Sequence, residues 1–88
     1  MDRGPIILLM DGDGQFTAAV GESLHAHGYR VEITTDGLTG IQTFEQLQPD
    51  LVITEMLLAG RSGFAVVEHL RRRDATLPII MAATFGTP

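Results

Sequence analysis

The chain has 88 residues, 44% hydrophobic and 19% charged, with a formal net charge of −5 and no cysteine. That length makes one small domain, spanning 1–88, with much of its surface left wet. The acidic balance argues against direct nucleic-acid binding, which leaves a basic footprint. The lack of cysteine excludes disulfides and thiolate metal sites and suits a cytoplasmic protein. Apolar runs such as Ile6–Met10 are too short to cross a bilayer, and no basic leader opens the chain, so neither a membrane partner nor secretion is expected.

In chain order, Ile6–Met10 is a continuous apolar run, as expected of a central strand buried on both faces. Asp11–Gly14 breaks it, and Phe16, Val20 and Leu24 then stripe a helix over Phe16–His27 that stops at Gly28. Tyr29–Thr34 is β-branched and alternating, and predicts a second strand. Asp36-Gly37 marks a turn. Leu38, Ile41, Phe44 and Leu47 predict a second amphipathic helix, closed by Pro49, and Leu51–Thr54 a third strand. Met56, Leu57 and Leu58 are expected to pack in the loop that follows. Gly60–Gly63 is read as a continuation of that loop, with both glycines supplying backbone freedom. Phe64, Val67 and Leu70, widened by Val66, predict a third helix ending in Arg71-Arg72-Arg73, a solvated basic end that complements the helix dipole. Pro78 opens a fourth strand, Ile79–Ala83. Strands alternating with helices at this spacing imply right-handed crossovers and a parallel sheet wrapped on both faces.

Ligands of such sheets bind beyond the carboxyl ends of the strands. The first strand delivers Asp11, Gly12 and Asp13 to that edge, the third delivers Glu55, and the fourth Ala83 and Thr84. Two readings are open. The carboxylates can hold Mg²⁺ through hard oxygen ligands. Equally, they can be acids in wet loops, with Asp13 or Asp11 capping the following helix. His25, His27 and His69 lie on helices without converging carboxylates and read as surface residues.

The run Ile7-Leu8-Leu9-Met10-Asp11, the Gly28-Tyr29 pair, Thr35-Asp36-Gly37, the block Pro49–Phe64 and Pro78-Ile79-Ile80-Met81 together resemble the response-regulator receiver domain of two-component phosphorelay signalling. The resemblance covers essentially the whole chain and is most specific in the Pro49–Phe64 block. It implies a doubly wound α/β, flavodoxin-like fold with strand order 2-1-3-4, in which the fourth helix, fifth strand and fifth helix would be missing. It also implies a cytoplasmic signalling protein whose partners are a histidine kinase or an effector protein. Glu55 takes the position of the phosphate-accepting aspartate. Asp11 and Gly12 take the acidic pair that holds Mg²⁺, and Leu57 supplies the metal-binding carbonyl. Ala83, or Thr84 one place later, takes the switch-hydroxyl position. The family's paired lysine has no counterpart, because all six basic residues are arginine.

These departures all fall on the active site. The extra methylene of Glu55 displaces its carboxylate by about 1.5 Å, and misplacing a reacting group by about 1 Å costs on the order of a hundredfold in rate. Gly12 lacks a carboxylate and Ala83 lacks a hydroxyl. The expectation is therefore a non-enzymatic pseudo-receiver that acts through protein–protein contact. It carries no resident cofactor beyond a weak, degenerate Mg²⁺ site at Asp11, Asp13, Glu55 and Leu57. An outward-pointing Glu55 would mimic the phosphorylated state. One alternative is a Mg²⁺-binding receiver that retains some phosphotransfer. Another takes Ile6–Gly14 and Ile79–Thr84 as similar to the first two motifs of haloacid-dehalogenase-type phosphatases, with Asp11 the nucleophile and Asp13 the acid/base. A bare fourth strand and a sheet face short of a helix further predict a homo-oligomer.

Overall fold

The computed structural model describes residues 4–58 and 60–82, Arg61 by its backbone alone. The elements run β1 (Ile6–Met10), α1 (Gly14–Ala26), β2 (Arg30–Thr34), α2 (Gly37–Leu47), β3 (Leu51–Glu55), β4 (Leu57–Leu58), β5 (Arg61–Ser62), α3 (Gly63–Arg73) and β6 (Ile79–Ala82). The main sheet is parallel in the order β2-β1-β3-β6. Taken as the first four long strands, that is the expected 2-1-3-4. The loop expected between the third strand and third helix is instead a small antiparallel hairpin, with Leu57 opposite Ser62 and Leu58 opposite Arg61.

Ile7, Leu8, Leu9 and Met10 are all nearly or wholly buried, so β1 is covered on both faces. Alternation along the strand sends Leu8 and Met10 to one face. There they join Val52 of β3, Ile41 and Phe44 of α2, Val66 and Leu70 of α3, Leu58 and Leu77 in the principal core. Each such buried apolar side chain contributes about 1.5–3 kcal/mol. The opposite face lies under α1, whose Gly21 approaches the Ile33 and Val31 side chains. This cover is thin: Thr17 is the one buried residue of α1, and Ile33 and Ile80 remain 43% and 53% exposed.

Two predicted stripes shift. In α3 the buried positions are Gly63, Val66 and Leu70, while Phe64 is exposed, because the helix starts at Gly63 and turns that triad onto the sheet. In α2, Leu38 in the first turn is exposed, and the core positions are Ile41 and Phe44.

Helix ends follow local chemistry. Asp13, Asp36 and Ser62 are the N-caps of α1, α2 and α3, their side-chain oxygens accepting backbone N–H bonds from the first turn. The turn marked by Asp36-Gly37 is therefore a helix start. Gly28 ends α1 with φ +92°, and Gln48, in the left-handed region, ends α2 just before Pro49. Arg71 is not simply solvated, since its guanidinium donates to the carbonyl of Leu77 and holds the α3–β6 connection.

Candidate functional site

The carboxyl edge of the sheet brings together the β1–α1 loop and the end of β3. Asp11 follows β1, and its N–H donates to the Thr34 carbonyl at 3.0 Å, which continues the β1–β2 ladder by one bond. It is 3% exposed, and its Oδ1 accepts from the Asp13 N–H at 2.9 Å. Asp13 is exposed, with its Oδ1 accepting from the N–H groups of Gln15 and Phe16 at 3.0 and 3.2 Å. Of the two readings of Asp13, the helix cap is the one seen.

Glu55 closes β3 in register with Ala82 of β6. Glu55 Oε1 accepts from the Gly12 N–H at 2.9 Å, a bond between residues 43 apart in sequence. The extra methylene of Glu55 lets its carboxylate reach this loop amide. Under Glu55, Thr54 is fully buried and donates to the Glu55 carbonyl at 3.2 Å.

Among the described residues, no three His, Cys, Asp or Glu side chains form a group that could hold a metal ion. Asp13 is turned to its cap, the Glu55 carboxylate faces an amide, and Gly12 offers no side chain. The Leu57 side chain, expected to pack, is 81% exposed on β4, whereas Leu58 enters the core, since neighbouring strand residues face opposite ways. The switch-hydroxyl positions Ala83 and Thr84 lie outside the described residues.

Away from this edge, one group was not legible in the sequence. Glu45 of α2 accepts from Arg73 Nη2 of α3 at 2.8 Å and lies 3.6 Å from His69 Nε2. His69 therefore does meet a carboxylate, unlike His25 and the capping residue His27, whose Nδ1 lies 2.7 Å from the Ser23 carbonyl oxygen. The Arg73 hydrogen bond, more than any other influence, holds the Glu45 carboxyl below its ordinary value of 4.5.

Comparison with known proteins gives the architecture a family. The sequence profile described as the response regulator receiver domain matches residues 7–88. The chain is 37% identical over 84 residues to the DNA-binding dual master transcriptional regulator RpaA of Synechocystis sp., covering 93% of this chain and 35% of that protein. It is 35% identical over 77 residues to the transcriptional regulatory protein AfsQ1 of Streptomyces coelicolor, covering 88% of this chain and 34% of that protein. It thus spans about a third of the length of these relatives. The chemotaxis response regulator CheY4 of Vibrio cholerae shares the fold with a TM-score of 0.88 at 24% identity, over 97% of this chain and 72% of that one. The HemR receiver domain of Leptospira biflexa does so with a TM-score of 0.86 at 24% identity, over 96% and 68%. The family match removes the phosphatase reading of Asp11 and Asp13, which accounted for neither the Pro49–Phe64 block nor the capping role of Asp13. The chain belongs to the response-regulator receiver-domain family of two-component signalling.

Proposed function

We propose that residues 1–88 form an atypical receiver module that works by protein–protein contact and takes no phosphoryl group, with Glu55 at the phosphoacceptor position. One observation carries this reading: the Glu55 carboxylate is engaged by the Gly12 N–H instead of standing among open acids. A phosphoacceptor must present a free carboxylate oxygen to its donor, with positive charge at hand for the developing anion. Here Oε1 of Glu55 is engaged by the Gly12 N–H, and Gly12 stands where the family has the neighbouring acid.

In this reading the module is not an enzyme, needs no Mg²⁺, and resides in the cytoplasm. Its partners are proteins, a histidine kinase or an effector. No helix among the described residues is long and apolar enough to cross a membrane. RpaA is named as DNA-binding, but the acidic charge of this chain favours protein contact over direct contact with DNA. Self-association is also proposed, through the sheet face carrying Ile33 and Ile80, which α1 leaves partly uncovered.

The test is intact-mass spectrometry after incubation with acetyl phosphate and Mg²⁺. An unchanged mass is expected. A Mg²⁺-dependent gain of one phosphoryl group that disappears in Glu55→Gln would overturn the proposal.

A further inference from the structure

We infer that the Glu55–Gly12 hydrogen bond is a latch that fixes the β1–α1 loop to the end of β3 without a cation. The inference rests on the non-phosphorylated reading above, and it gives the carboxylate at that position a purpose: holding the shape of the surface that a partner meets.

The contact depends on reach. Glu55 Oε1 stands 2.9 Å from the Gly12 nitrogen, the distance of a charge-assisted hydrogen bond. An aspartate on the same strand would stop about one C–C bond, roughly 1.5 Å, short of that contact, which puts it outside hydrogen-bonding range. The bond therefore depends on the methylene that distinguishes Glu55 from the family's aspartate.

Gly12 is the matching half. A Cβ built there would lie 3.6 Å from Glu55 Oε1 and 3.7 Å from the Thr35 carbonyl oxygen, both ordinary contacts, so space alone does not require glycine. Charge does the selecting. An aspartate at position 12 would add a second carboxylate beside that of Glu55, and crowded like charges oppose one another without a cation between them.

The rest of the loop is closed in the same manner. The Gly12 amide is taken by Glu55, the Asp13 amide by Asp11, and the Gln15 and Phe16 amides by Asp13. Each acid at this edge already has backbone N–H partners. The loop is thereby preorganised by its own carboxylates, each of which gives one oxygen to backbone amides.

The experiment follows the amide at position 12 by NMR hydrogen exchange in the full chain, alongside thermal unfolding with and without millimolar MgCl₂. In the wild type this amide is expected to be protected and the melting temperature indifferent to Mg²⁺. Glu55→Ala and Glu55→Asp should each speed exchange roughly tenfold, as loss of a charge-assisted bond allows. Gly12→Ala should retain protection, because its Cβ fits. Gly12→Asp should lose it and recover melting temperature when Mg²⁺ is added. Equal exchange in the wild type and Glu55→Ala would overturn the latch, as would a wild-type melting temperature that rises with Mg²⁺. Those failures take the Glu55–Gly12 contact away from the proposed function without showing phosphotransfer, whereas phosphoryl labelling of Glu55, read by mass, would remove that function and leave the amide measurement intact.

Discussion

Gly63, the first residue of α3, lies directly beneath the main chain of Glu55. A Cβ at position 63 would fall on the Glu55 carbonyl oxygen and 3.0 Å from Met56 Cα, and the Gly63 N–H donates to the Met56 carbonyl at 2.7 Å. The start of the helix and the end of the site-bearing strand are thus in backbone contact. Gly63 was read as a flexible loop residue, but what it supplies is closeness. Gly60, at φ +80°, is the one that uses the conformational freedom of glycine.

Gly63→Ala is accordingly expected to be among the most damaging small substitutions. The added methyl meets backbone, which cannot rotate away, so a loss of at least about 1–3 kcal/mol is expected. For a domain this small each kcal/mol lowers the melting temperature by about 4–8 °C. Thermal unfolding followed by circular dichroism checks it, and a shift within error would show that α3 docks otherwise.

Asp13→Ala separates capping from metal binding. The Asp13 carboxylate serves the Gln15 and Phe16 amides, so the variant should lose about 1 kcal/mol of stability, the usual worth of an N-cap. That loss should be the same with and without Mg²⁺ in urea unfolding. A deficit that appears in the presence of Mg²⁺ alone would make Asp13 a ligand.

The Glu45–Arg73 pair links α2 to α3 and makes stability depend on pH. Because the folded Glu45 carboxyl sits below 4.5, its contribution is present above that value and is lost as the pH falls through the lower folded value. The pair is solvent-exposed, so its effect should be small and should shrink in high salt. Comparing the wild type with Glu45→Gln across the acid range, the variant should show the shallower loss of stability between the ordinary carboxylate value and strongly acidic pH. Parallel curves would show that Glu45 is not linked to folding.

Ile33 and Ile80 should mediate self-association if the thinly covered sheet face is an interface. Sedimentation velocity is expected to show a dimer or larger species for the wild type, and a shift toward monomer for the double substitution Ile33→Ser with Ile80→Ser. A monomeric wild type at all concentrations would contradict it.

Much of the architecture was legible because burial leaves a periodic trace. Ile6–Met10 is apolar without alternation and proves to be covered on both faces, and the Gly28 and Pro49 stops fall where α1 and α2 end. The β4–β5 hairpin was not legible, because two-residue strands carry no period to detect. Phe64 and Leu38 were assigned inward on spacing alone, yet the phase of each helix is set by where it docks, and both are exposed. At the site, the identities of Glu55 and Gly12 were plain, and their departure from the family pattern was visible. Their hydrogen bond was not, since it joins a loop to a strand end that the sheet brings together. The same holds for Glu45 with His69 and Arg73, which meet across a helix pair that sequence spacing does not encode.

A receiver edge held by its own carboxylates and closed to phosphoryl chemistry can be tested by one titration of the ¹⁵N-labelled chain. Mg²⁺ is added first and acetyl phosphate second, with the amides of Asp11, Gly12, Glu55 and Leu57 followed throughout. These resonances are expected to stay in place at both steps. Saturable shifts centred on Asp11 and Glu55 with Mg²⁺, followed by a new set of peaks with the donor, would contradict it.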